Sequence, residues 1–248
     1  MKRVAKWSIV RGPVVLAFAL TGLCGRMALP DDRATGGEPK AGNPPVGLAQ
    51  LAQQADFVGV AQVRDTDYLR RRDIPVSGSA YLQVLIPYKS TAGEELIEVY
   101  EKGLHEHECY FPNPSVFEEG RRYLLFLRRD PEHAERYRGL PSGCAIDVLV
   151  DSDNGYAVRL PVTGIPLADS LQELARPMQF ADPYAAVDDE ALPAAQRDAL
   201  RAAGLIVAHG PEGEEPSERR WLYTRGVPLS EFRELLQLDP QEAYTTNR

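Results

Sequence analysis

Two histidines and a cysteine alternate near the middle of the chain, at His105, His107 and Cys109. Alternate residues of an extended strand point to one face, so these three side chains would share a face. Two imidazoles and a thiolate are ligands that zinc and copper accept. The other interpretation is a polar edge strand whose cysteine is held in a disulfide, which would leave two histidines for a metal. The pattern favours the disulfide and keeps a metal site at His105 and His107 as the alternative.

The partner for such a disulfide is Cys144, the other cysteine outside the N-terminal segment. In an oxidising compartment two remaining cysteines pair more often than they bind a metal. The bond would close a loop of 35 residues. Chain entropy gives a loop of this length a stabilisation of about 3 to 4 kcal/mol. We therefore predict a disulfide between Cys109 and Cys144.

A second group of polar residues, Asp151, Asp153 and Asn154 before Gly155, is similar to the opening of a calcium loop. The glycine falls one position early, and no glutamate closes the loop at the required distance. Asn-Gly between two β-type runs is a strong signal for a hairpin. We interpret the segment as a hairpin turn.

No catalytic set is predicted. Ser142-Gly143 lacks the flanking residues of a nucleophile elbow, and the chain has only four histidines, with no supported Ser/His/Asp ordering. Acidic pairs such as Glu118-Glu119 and Glu214-Glu215 are typical of solvated loops. We predict a protein that is not an enzyme and uses no cofactor, with an unrecognised carboxylate-dependent hydrolase as a third alternative.

The first 25 residues have the pattern of an export signal. Basic residues at positions 2, 3, 6 and 11 precede an apolar core that ends near Gly25 and is too short to span a bilayer comfortably. Cleavage near Gly25 or Ala28 is the favoured interpretation. Lipidation at Cys24 would need a small residue where Leu23 stands, and an uncleaved anchor is a further alternative. We expect a bacterial periplasmic or secreted protein, whose contact with a membrane would be only through this leader.

The charge of the chain restricts its partners. The formal net charge is −8, and beyond residue 25 there are 24 basic against 36 acidic residues. This acidity argues against DNA or RNA as a partner. The arginine run 70–72 is the one candidate basic patch, but three aspartates surround it, so we interpret it as a solvated loop rather than an anion site.

An apolar run between charged ends, residues 119–129, predicts a buried central strand that a glycine turn at Gly120 introduces. A short helix is expected over 46–56. Further strands are predicted at 57–63, 80–89, 96–101, 144–150 and 156–160, with Pro87 marking an edge or a bulge. Arg70 to Asp73 and Ser77-Gly78-Ser79 are expected in a polar loop.

The remaining chain divides by composition. Residues 26–45 are interpreted as a flexible tether and 46–162 as the β-barrel domain. Residues 163–248 are predicted to form a mostly helical extension that packs on the barrel. The expected elements are helices at 167–178, 188–203 and 228–236, the last with a serine cap at Ser230, and a strand at 204–209.

The order of these elements resembles that of bacterial exported domains related to the tissue inhibitors of metalloproteinases. The resemblance covers about residues 46–160 and lies in the helix ending at Ala55-Asp56, the strand pattern, Cys109 and Gly120. It implies the netrin-like variant of the OB barrel. The animal inhibitors chelate the protease zinc through a cysteine just behind the leader, whereas Cys24 has no Cys-x-Cys following it. Protease inhibition is therefore not expected here, since fold analogy alone does not carry function.

Together these patterns predict an exported, disulfide-stabilised OB-like β-barrel that acts as a binding or interaction module of the cell envelope. Its partner would be an envelope protein or a small ligand. A zinc- or copper-binding envelope protein that uses His105 and His107 is the alternative.

Overall fold

The computed structural model describes residues 45–72, 74–91, 93–102, 109, 116–163, 165–210, 220–238 and 244–245, without the side chains of residues 74, 91, 244 and 245. Within these ranges the fold is mainly β. The helices are α1 (Leu48–Gln54), α2 (Ala194–Ala202) and α3 (Leu229–Leu236), and 3₁₀ turns form at Pro183–Ala185 and Asp189–Ala191. The strands are β1 (Phe57–Arg71), β2 (Ile74–Thr91), β3 (Leu96–Glu101), β4 (Arg122–Arg129), β5 (Tyr137–Gly139), β6 (Ala145–Val150), β7 (Tyr156–Arg159), β8 (Arg176–Pro177), β9 (Ala186–Asp188), β10 (Ile206–His209), β11 (Arg220–Tyr223), β12 (Arg225–Pro228) and β13 (Tyr244–Thr245).

Five strands close into a barrel in the order β1-β2-β3-β5-β4 and back to β1. Each neighbouring pair is antiparallel except β3 and β5, which are parallel. The predicted OB-like β-barrel with flanking helices is confirmed. Strand β4 is central, as expected, because it pairs with β1, β5 and β6.

Both faces of the central strands are buried. Tyr123, Leu125 and Leu127 of β4 belong to one apolar cluster together with the disulfide, whereas Leu124 and Phe126 belong to a second cluster that also holds α1 and α3. Successive side chains of a strand point to opposite faces, so a strand covered on both sides needs apolar residues at every position. This explains the unbroken apolar run in the sequence.

Strands β1 and β2 form a hairpin that is longer than predicted. The polar residues 64–79, expected to be a loop, continue the two strands as far as a tight turn at Arg72, which has φ 50°. The loop prediction is wrong because the antiparallel pairing of β1 with β2 continues through these polar residues. The irregularity predicted at Pro87 is confirmed, since the register shifts between the pairs Val58–Lys89 and Gly59–Pro87.

The hairpin predicted at Asn154-Gly155 is confirmed between β6 and β7. Asn154 has φ 61°, and a carboxylate oxygen of Asp151 accepts hydrogen bonds from the backbone N–H groups of Asp153 and Gly155 at 2.9 and 2.7 Å. The Asp151 carboxylate therefore stabilises the turn itself.

Cys109 and Cys144 form the predicted disulfide, with their Cα atoms 5.1 Å apart. Both residues are buried in the barrel cluster. Gly139 of β5 lies against the bond: a Cβ atom there would be 2.5 Å from Sγ of Cys109, so a larger residue would collide with it.

The segment after residue 162 mixes helices with short strands. Strand β12 extends the barrel sheet by pairing with β7 and β8, while β10, β11 and β9 form a separate three-stranded sheet. The strand predicted at 204–209 is confirmed by β10, and helices α2 and α3 fall in two of the predicted helical segments. The helix predicted at 167–178 is wrong, because those residues form turns and the short strand β8. The serine cap is also wrong: α3 follows Pro228, and Ser230 lies inside it.

Among the described residues, the helices are too short and too polar for any of them to cross a membrane.

Candidate functional site

The structure describes only part of the metal site that the sequence predicts. His105 and His107 lie outside the described residues, so their placement stays a prediction. Cys109 is bonded to Cys144, so it offers no thiolate to a metal. In the part of the chain that the structure describes, no three histidine, cysteine, aspartate or glutamate side chains come together in a way that could hold an ion.

A cleft of about 310 Å³ lies between β7 and residues 184–200, with Tyr223 of β11 also in its lining. Its volume is at the lower end of the range for small-molecule sites, about 300 to 1,000 Å³. The lining residues are of two kinds. The polar ones, called the polar wall below, are Arg121, Arg159, Thr163, Tyr184, Gln196 and Tyr223, and the apolar ones, called the apolar wall, are Pro161, Ala186, Val187, Ala191, Leu192, Pro193 and Leu200.

Arg159, the last residue of β7, is the most buried charge of the polar wall, at 7% exposure. Its Nη1 group donates to the carbonyl oxygen of Pro161 at 3.2 Å, and its Nη2 group donates to Asp147 and to Thr163. The guanidinium lies 4.4 Å from the centre of the Tyr223 ring. Burial disfavours the charged form, but Asp147 outweighs it and raises the pKa of Arg159 above its usual value. Arg159 is thus a fixed positive charge.

Arg121 stands beside it, one residue before β4. Its Nε group donates to Glu118 at 2.6 Å, and its Nη1 atom lies 3.8 Å from Asp147. The guanidinium stacks 4.7 Å from the centre of the Tyr184 ring. To the described residues, Nη2 of Arg121 makes no hydrogen bond. The side chain lines the cleft and is 19% exposed, and its contacts with Glu118 and Tyr184 hold it in place.

Tyr184 is itself held by the barrel. Its hydroxyl donates to the backbone oxygen of Glu119 at 2.7 Å, and this contact lies over Gly120, whose φ of 85° forms the turn into β4. Burial, and then the Glu118 carboxylate, raises the pKa of the Tyr184 hydroxyl, so it stays protonated and donates. This bond ties the C-terminal segment to the edge of the barrel.

The carboxylates that fix the two arginines do not face the cleft. Asp147 and Glu118 contact the guanidiniums, but neither residue lines the cavity. Among the described residues that line the cleft there is no carboxylate, histidine, cysteine or lysine. The polar wall therefore presents guanidinium, hydroxyl and amide groups to a bound molecule.

The apolar wall is anchored by Asp189 in the 3₁₀ turn before α2. Asp189 accepts a hydrogen bond from Arg197 at 2.7 Å and one from the Trp221 indole at 2.6 Å. Leu192 and Leu200 follow this turn and are 9% and 8% exposed. These contacts hold the wall against β11 rather than leaving it as a loose loop.

A second depression of about 280 Å³ lies on the other side of Pro161, over Val162, Leu167 and Leu171. Its one charged lining residue is Asp169, which accepts a hydrogen bond from the backbone of Leu48 at 2.6 Å and so caps α1. This depression has a structural explanation and no charged group directed at a ligand.

Sequence reasoning did not identify the cleft. Its residues are spread from Arg121 to Tyr223, and none belongs to a recognised short motif. The one local signal was Arg159, a charged residue between Val158 and Leu160 in an otherwise apolar strand. A charge at a buried strand position needs a partner or a role.

Comparison with protein-family models, curated proteins and solved structures found no match for this chain. The resemblance to the tissue inhibitors of metalloproteinases therefore stays a prediction.

Proposed function

We propose that this chain is an exported, disulfide-stabilised binding module of the bacterial cell envelope, periplasmic or secreted, which holds a small ligand in the cleft between β7 and α2. Export is supported by the basic and apolar pattern of the first 25 residues and by the cysteine pair. A binding role is supported by the cleft.

The observation that carries the proposal is a fixed pair of guanidiniums and a set of apolar side chains in the lining of one cleft. Arg121 and Arg159 are held by Glu118 and Asp147, and the turn that precedes Leu192 is held through Asp189. A site whose groups are already ordered loses little conformational entropy when a ligand binds. The lining residues offer no nucleophile paired with a base, which favours binding over catalysis.

The test is a screen of small organic molecules by thermal unfolding of the mature chain. A ligand that binds only the folded state raises the unfolding temperature. We expect compounds whose stabilisation disappears in the variant Ala191→Trp, which adds a bulky side chain at an exposed residue of the cleft lining. The variant Ala202→Trp is the matched control, because Ala202 is exposed on α2 and does not line the cleft. A library in which no compound distinguishes these two variants would contradict the proposal.

A further inference from the structure

We infer that the ligand of this cleft is an organic monocarboxylate with an apolar body, a class that includes short-chain and aromatic acids. The inference rests on the binding role proposed above and adds the chemical class of the ligand. It follows from the presence of both arginines and apolar side chains in the lining of the cleft.

The carboxylate head is assigned to Arg121. Glu118 accepts from Nε and Asp147 lies 3.8 Å from Nη1, whereas Nη2 makes no hydrogen bond to the described residues, so Nη2 is the donor that a ligand in the cleft would use. A planar guanidinium matches the geometry of a carboxylate, and charge-assisted hydrogen bonds are stronger than neutral ones. Both Nη groups of Arg159 already donate to protein acceptors, so Arg159 adds positive field rather than a direct donor.

One negative charge is what the cleft accommodates. Both Nη groups of Arg159 already donate to protein acceptors, so Nη2 of Arg121 is the one Nη group of the two guanidiniums that makes no hydrogen bond to the described residues. A doubly charged ligand would need a second guanidinium with an open donor edge, and the lining residues include only these two arginines. A second buried negative charge would then be left without a partner, which is costly.

The apolar body is assigned to the apolar wall, against Val187, Leu192 and Leu200. Burying a methylene group there increases affinity by about fourfold, the equivalent of about 0.8 kcal/mol. Affinity should therefore rise with chain length until the cleft is filled. A bare anion would gain nothing from this wall.

The class is tested by calorimetric titration of the mature chain with butyrate, hexanoate, hexanamide and inorganic phosphate. We expect hexanoate to bind more tightly than butyrate and about tenfold more tightly than hexanamide, because the amide has the same body without the charge. Phosphate should bind more weakly than hexanoate.

Two variants test whether the carboxylate of hexanoate binds in the cleft at Arg121. Gln196→Glu places a carboxylate in the cleft at an exposed position of α2, and it removes no contact of Arg121. We expect it to weaken hexanoate binding about tenfold and to leave hexanamide unchanged, because like charges repel in a partly buried site. Arg121→Gln should weaken hexanoate binding to the same degree. Arg176→Gln is the control, since Arg176 pairs with Glu231 at 2.6 Å but does not line the cleft.

The possible outcomes distinguish the proposed ligand class from the proposed binding role. Equal affinity for hexanoate and hexanamide, lost in Ala191→Trp, would overturn the carboxylate assignment and leave the cleft as a binding site. Phosphate binding as tight as hexanoate binding would overturn the role of the apolar wall. If none of these molecules and no library compound binds in the cleft, the proposed function fails and the class fails with it.

Discussion

The carboxylate of Asp130 stays ionised although its side chain is buried. Its side chain is fully buried at the end of β4, where it accepts hydrogen bonds from the backbone of Glu132 at 2.9 Å and from Arg136 at 2.6 Å. Arg138 lies 3.1 Å away. Burial opposes ionisation of the carboxyl, but these donors outweigh it and lower its pKa to about 2.

The substitution Asp130→Asn should lower the free energy of unfolding by about 3 kcal/mol at pH 7, because it leaves Arg136 and Arg138 without their shared carboxylate. Urea unfolding measures this change. Asp153→Asn, at an exposed turn position, is the control and should change stability by less than about 0.5 kcal/mol.

The same carboxylate predicts a pH dependence. Its pKa is lower in the folded state than the value of about 3.9 in an unfolded chain, so its stabilisation is complete above pH 4 and is lost as the pH falls toward 2. The difference in stability between wild type and Asp130→Asn should therefore shrink over that interval. A difference that stays constant from pH 7 to pH 2 would show that the charge of Asp130 is not what stabilises the fold.

The contacts of the two cleft arginines could not be predicted from the sequence. Arg159 is recognisable as an unusual charge in an apolar strand, but its partner Asp147 and its neighbour Arg121 belong to different strands or turns. Strand pairing decides which charged side chains come into contact, and this pairing cannot be read from a single sequence. By contrast, the Cys109–Cys144 pair could be predicted because few cysteines exist to choose from.

At the scale of elements, α3 links the C-terminal part of the chain to the barrel. Phe232 and Leu236 are fully buried in the cluster that also contains Leu48 and Leu51 of α1. The hydroxyl of Tyr88 on β2 donates to the backbone oxygen of Leu229 at 3.3 Å. The helix therefore covers the outer face of the barrel strands.

The substitution Phe232→Ala should lower the free energy of unfolding by about 3 to 5 kcal/mol, because it removes a fully buried ring and leaves a cavity between α1 and α3. Urea unfolding followed by circular dichroism measures it. Arg233→Ala, on the exposed side of the same helix, is the control and should stay within about 0.5 kcal/mol of wild type. If both variants were equally stable, α3 would not be part of the barrel core.

The strands could be predicted because alternation and apolar runs are local signals. The helix predicted at 167–178 does not form because residues near its start pair with a distant segment of the chain. Val46 donates to the oxygen of Pro166 and accepts from the N–H of Ala168, and the carboxylate of Asp169 caps α1. This pairing with a distant segment holds residues 166–168 in an extended conformation, which overrides their local preference for helix.

For the molecule as a whole, the disulfide is the strongest single constraint that the sequence predicts. It closes a loop of 35 residues that contains β4 and β5. Most of the barrel could be anticipated from the sequence, whereas the cleft could not, because it forms only when β7 and the segment before α2 come together.

Replacing both Cys109 and Cys144 with serine should lower the free energy of unfolding by about 3 to 4 kcal/mol, the chain-entropy value for this loop. Urea unfolding with and without dithiothreitol measures the effect. The reductant should bring wild type to the stability of the double variant and leave that variant unchanged. Wild-type stability that does not respond to reduction, although alkylation shows free thiols, would contradict a stabilising role for the bond.

The central claim is that a carboxylate ligand binds at Arg121. The most direct test is a nuclear magnetic resonance titration that follows the arginine Nε–Hε signals as hexanoate is added, with the Arg121 and Arg159 signals assigned from Arg121→Gln and Arg159→Lys. We predict saturable shifts of these two signals and none of the hairpin arginines 70–72. Unchanged Arg121 and Arg159 signals, with shifts confined to the hairpin arginines, would contradict the claim.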